Sequence, residues 1–278
     1  MNNSNSSLNF FVLVFRLSIP FWILGAYIDL KGIIPINLPI SALMLLCPMA
    51  AAIILTWKKD SIRGVILLLK CIFDFKKIQN RIWYLPFLLL IPTIMLLAFG
   101  VMHALQIPIP KQNMPLIDAV LLFLLFFISA IGEEVGWTGY VTDPLQNRFG
   151  TLKAALIIGT IWAIWHIIPF MQAHRTPIWI FWQCVGTIAL RIIIVWLYNN
   201  THKSLFAAIL CHATINMSVY GFPNYGSHYD PFYFGIILIL IASIISFQGL
   251  TKKNAWKIRN NKKYIEKRSP QYFDHFKP

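Results

Sequence analysis

The chain is predicted to be an all-α, polytopic transmembrane helical bundle of about eight spans. Three observations predict it. The 278 residues are 58% hydrophobic and only 12% charged, about half the charged fraction of a soluble domain. Several apolar runs reach the ~20 residues that cross a hydrocarbon core. The lysines and arginines gather in one internal loop and in the C-terminal tail, as they do at the cytoplasmic ends of membrane helices. A net charge of +14 would otherwise invite nucleic acid. Clustering at span ends, without a basic soluble face, argues against that partner.

Spans are expected at roughly 10–30, 38–57, 82–105, 115–138, 151–171, 177–198, 203–220 and 231–250. Polar or proline-bearing connectors, such as 31–39 and 108–115, separate them. The first run lacks a charged leader region and a small-residue cleavage site, so it is expected to be a retained helix. Within the loop 58–81, residues 62–75 (IRGVILLLKCIFDF) are apolar but interrupted by charge. That pattern predicts an interfacial helix lying on one leaflet. Trp57, Trp83, Tyr84 and Tyr198 near span ends fit an interface belt. Cys47, Cys71, Cys184 and Cys211 are scattered singly and read as small apolar fillers.

Orientation follows from the charges. The loop 58–81 holds seven Lys or Arg, the tail after 250 holds nine, and Arg148, Lys153 and Lys203 fall on the same side. Nineteen therefore stand against three on the other side, Lys31, Lys111 and Arg175. Both termini are expected in the cytoplasm of an integral cell-membrane protein. The chain reads as one membrane domain, 1–278, ending in a basic cytoplasmic tail, 251–278, expected to meet anionic lipid.

Ionisable groups inside spans are costly unless they meet one another or a wet cavity. Glu133 and Glu134 end the apolar run 120–131. His166 stands between Trp162 and Trp165 and the end of the fifth span, in GTIWAIWHIIPF. His212 and Asn216 share a helix face at i, i+4. Each feature alone reads as a packing or hydrogen-bonding group. Together they place a carboxylate, two imidazoles and a carboxamide on three spans. Those are the parts of acyl-transfer hydrolysis by activated water.

The order Glu-Glu, aromatic-xxx-His, His-xxx-Asn, with the string GEEVGWTGY, resembles the CPBP (Abi) family of intramembrane proteases, which includes the type II CAAX prenyl endopeptidases. The resemblance covers about 119–220, the expected catalytic core. It implies Glu133 as general base, Glu134 as its electrostatic neighbour, His166 as the holder of the water, and His212 with Asn216 as an oxyanion hole. The substrate would be a peptide or membrane protein, hydrolysed in a cavity walled by spans four to seven and reached from the cytoplasmic side. No cofactor is expected. Zinc is the alternative, since the family has been described as metalloproteases and a Glu/His/His set can bind it; a carboxamide at 216 favours an oxyanion donor.

Two positions depart from the family pattern. Thr138 stands where an arginine usually follows the second glutamate by four residues, which removes a charge partner for Glu134. Trp162 replaces a phenylalanine, which reads as a mild change. Gln183, Thr187 and Arg191 form a polar stripe on the sixth span, and Arg191 is expected to approach the glutamates and supply the missing charge. Two other functions fit parts of the pattern. Thr138 suits a catalytically silent scaffold or bacteriocin-immunity factor. A Glu/His set also suits a proton-coupled transporter, against which the lack of an inverted repeat argues. On these spans Glu133 lies near one end of its helix and His166 beyond midplane. Tilt, an early start to span five, or a longer fourth helix would reconcile them.

Overall fold

The computed structural model describes residues 3–28 and 38–251. Expectations for Lys31 and the tail from 252 fall outside the described residues. Among those described, the secondary structure is helical, with no strand. In chain order the α-helices are α1 (Asn3–Tyr27), α2 (Cys47–Lys70), α3 (Ile91–Ala104), α4 (Leu116–Glu134), α5 (Thr142–Phe149), α6 (Thr151–Gln172), α7 (Pro177–Asn200), α8 (Leu205–Tyr220) and α9 (Pro231–Thr251).

Among the described residues seven helical stretches are long and apolar enough to cross a membrane, and the chain is an integral membrane protein. The remaining expected span, the seventh in chain order, is α8, which has only 16 residues. Its length is tolerable because it is an interior helix: ten of its residues are buried, and it packs against α4, α7 and α3. A helix wrapped by others need not match the bilayer thickness by itself.

Local chemistry sets the helix starts. Pro177 occupies the first turn of α7 behind Thr176, whose hydroxyl accepts from the Trp179 N–H at 3.3 Å. Ser204 caps α8 by accepting from Ala207 N at 3.2 Å. Gly150, at φ 81°, supplies the sharp turn between α5 and α6. The interior is built from α4 on α8, α6 along α7, and α7 on α9. Around it α1 clamps α6, where Trp165 Nε1 donates to Ser18 Oγ at 2.8 Å.

The basic loop is more structured than an interfacial helix alone. At Ser61 the backbone takes φ 56°, ψ −164°, a strained left-handed value for a non-glycine residue. That break separates the span of α2 from a mostly exposed helical turn ending at Lys70. The chain then turns so that Asp74 reaches the start of α8. Its carboxylate accepts from Ser204 Oγ (2.7 Å), Leu205 N (3.2 Å) and Phe206 N (3.1 Å). Lys77 holds the same carboxylate at 2.6 Å. A carboxylate there satisfies orphan N–H groups and faces the positive end of the helix. Cys47 and Cys211 are buried free thiols, as small fillers would be.

Candidate active site

Glu134 is fully buried and surrounded by donors. Arg191 forks onto it, from Nη1 to Oε2 at 2.9 Å and from Nη2 to Oε1 at 3.1 Å. Thr138 Oγ1, one turn on, also donates to Oε2. His212 Nδ1 lies 2.8 Å from Oε1. Arg191 is itself 0% exposed, and its guanidinium carbon sits 4.1 Å from the ring centre of Trp162. A planar fork matches a carboxylate, and its face stacks on an aromatic ring. The cation that sequence comparison expects four residues after Glu134 thus stands on α7 instead. Thr138 fills the vacated place as a small hydroxyl donor.

Glu133 points elsewhere. It is 5% exposed and accepts from Trp162 Nε1 at 2.7 Å. The exchange of phenylalanine for Trp162 is therefore more than mild, because it adds an N–H that meets Glu133. The signal was in the sequence: a buried indole N–H needs a partner, and Trp162 sits one turn before His166. The Trp162 ring also packs edge-on to His212, with centres 5.2 Å apart. His166 Nδ1 lies 2.8 Å from the Trp162 carbonyl oxygen. A carbonyl only accepts, so Nδ1 carries the proton and Nε2 of the neutral ring is left as an acceptor.

Glu133, His166, His212 and Asn216 line a single cavity of about 180 Å³. Glu134, Thr138 and Arg191 lie behind its wall. Gln183 and Thr187, the rest of the polar stripe, line the cavity above Arg191. Their own bonds are local: Thr187 Oγ1 donates to the Gln183 carbonyl at 2.8 Å, and Gln183 Oε1 accepts from Tyr229 at 2.9 Å. Among the described residues the Asn216 carboxamide takes no hydrogen-bond partner. The walls come from α4, α6, α7 and α8, as expected, and also from the start of α9 and residues 38–45.

The register of α4 allows this meeting. The helical path does not stop at Glu134. It widens into a π-helix over Val135–Tyr140 and continues through α5, giving 34 residues from Leu116 to Phe149. Glu133 therefore lies midway along this path, level with Trp162 near the middle of α6. Two glycines let the backbone of 45–48 press against the glutamate-bearing turn. A Cβ at Gly132 would stand 2.8 Å from Leu45 O, and one at Gly136 would stand 2.5 Å from Pro48 O. Small residues four apart permit such close approach.

Zinc would require three or four converging donors. Among the described residues no three His, Cys, Asp or Glu side chains form such a set. His212 Nδ1 is committed to Glu134 and His166 Nδ1 to a carbonyl.

Residues 115–218 match the family model described as type II CAAX prenyl endopeptidase Rce1-like. A curated protein, CAAX prenyl protease 2 of Methanococcus maripaludis, is 31% identical over 109 residues. That alignment covers 36% of this chain and 40% of the relative.

Proposed function

On the premise that residues 115–218 carry the Rce1-like family's sequence, we propose that this protein is an intramembrane endopeptidase working through water activated by Glu133 and His166. The observation that carries this reading is the convergence of Glu133, His166, His212 and Asn216 on one cavity. About 180 Å³ accommodates a peptide unit beside a water, which occupies about 30 Å³ in the liquid.

Glu133 takes a proton from the water, which His166 Nε2 holds and orients. The water oxygen bonds to the scissile carbonyl carbon, and the carbonyl oxygen becomes an oxyanion. His212 Nε2–H and Asn216 Nδ2–H donate to that oxygen. His212 Nδ1 already donates to Glu134, so the ring donates from both nitrogens only as the imidazolium. Glu134 accepts from that ring, and Arg191 and Thr138 hold the carboxylate in place. Collapse of the intermediate breaks the C–N bond, and Glu133 returns the proton to the leaving amine. Trp162 fixes the Glu133 carboxylate throughout. The tight packing behind Glu134, where Trp137 is fully buried, supports a dead-end reaction cavity over a proton path that crosses the bilayer.

The test is digestion of a peptide library by the purified full-length chain, with new termini read by mass spectrometry. Defined cleavage products are expected, with kcat lowered about 10²–10³-fold by Asn216→Ala, the loss of one oxyanion donor. Products formed at the same rate by the variant would overturn the oxyanion assignment. No products from any peptide would overturn the protease reading.

A further inference from the structure

The residues around the cavity come from one end of the bundle. Its lining includes Leu38 and Pro39 before α2, Ala173 and Arg175 between α6 and α7, Gly226 between α8 and α9, and the helix ends next to them. All of these belong to connectors on one side, because consecutive spans alternate. Connectors on the other side, around 71–85, 141–150 and 201–204, contribute no lining residue. Toward that side the cavity is floored by Glu134, Thr138 and Arg191, each 0% exposed, with Trp137 packed below.

The charges divide along the same line. Lys58, Lys59, Arg63, Lys70, Lys76, Lys77 and Arg81, with Arg148, Lys153 and Lys203, all lie on the floored side, while among the described residues the side with the mouth has Lys111 and Arg175. Short loops rich in Lys and Arg stay in the cytoplasm. The cytoplasmic route into the cavity expected from sequence is therefore not the one the lining favours.

We infer that the catalytic cavity opens away from the cytoplasm, so that its substrates are peptides or protein segments exposed on the outer face of the membrane. A cytosolic carboxy-terminal tail would meet the closed floor and the basic loop. An outer-face segment meets an aromatic mouth, where Arg175 stacks over Trp179 at 4.7 Å and Tyr229 reaches across to Gln183. What enters the cavity rests on the protease reading; where the cavity opens does not.

Two measurements test this separately. Full-length variants Arg175→Cys at the mouth and Lys59→Cys in the basic loop are treated with a membrane-impermeant maleimide in sealed vesicles. Labelling above the wild-type level is expected for Arg175→Cys only in right-side-out vesicles, and for Lys59→Cys only in inverted ones. The reverse pattern overturns the inference, as does labelling of both variants from one face. The second measurement adds a charged, impermeant peptide substrate to both kinds of vesicle. Cleavage is expected in right-side-out vesicles and lost in inverted ones until detergent is added. Cleavage by sealed inverted vesicles alone overturns the inference. If detergent releases no cleavage either, the protease reading fails while the maleimide pattern still decides the face.

Discussion

Neighbouring carboxylates on one helix end up with different chemistry because different helices face them. Glu134 looks toward α7 and α8, where Arg191 and His212, joined by Thr138 one turn on along its own helix, consume its lone pairs. Glu133 looks toward α6 and the cavity, holding one indole N–H. Removing one partner of a fully buried pair leaves a stranded charge. Arg191→Leu is therefore expected to destabilise the fold by about 3–5 kcal/mol, seen as a lower midpoint of thermal unfolding in detergent. An unchanged midpoint would mean that Glu134 is not held as described. Trp162→Phe removes a charged hydrogen bond worth about 1.5–3 kcal/mol and should lower kcat while helical circular dichroism is retained. At this scale the sequence announces which residues matter through the cost of charge in an apolar run. It also pairs Arg191 with the missing arginine. The role of Trp162 is legible only in part: a buried indole N–H needs a partner, but the sequence does not say that this partner is a carboxylate on another helix.

The elements place those residues. The helix carrying the glutamates continues for 34 residues, which brings Glu133 level with Trp162. Hydropathy ends that span near 138, because TDPLQNRF is polar. Polarity marks where a helix leaves the apolar layer, not where its hydrogen bonds stop. The contact of residues 45–48 with Gly132 and Gly136 depends on the absence of side chains there. Gly136→Ala would force Pro48 O away from a Cβ at 2.5 Å, an overpacking expected to cost about 1–3 kcal/mol. Wild-type thermal stability for that variant would contradict the close approach. The loop 58–81 also holds the start of α8, through Asp74. Asp74→Ala should cost about 0.5–2 kcal/mol and speed amide hydrogen exchange in the first turn of α8, upstream of His212. Unaltered exchange there would show that Ser204 caps the helix alone. The sequence pattern of that loop reveals charge and amphipathicity, but not a capping contact 130 residues away.

The whole molecule is an integral membrane bundle, and among its described residues seven stretches are long and apolar enough to span. This level was the most legible in the sequence, since length, hydropathy and charge placement are additive along the chain. The shortness of α8 and the end at which the cavity gathers its walls depend on packing among distant segments, and neither can be counted from composition. At this scale the central claim is that an acid in the middle of the membrane activates water to cut a peptide. The most direct measurement is the rate of peptide cleavage by purified wild-type protein and by Glu133→Gln, each shown to have the same unfolding midpoint. Loss of about 10²–10⁴-fold in kcat is predicted, the range for removing a general base. Equal rates from the two folded proteins would contradict the account.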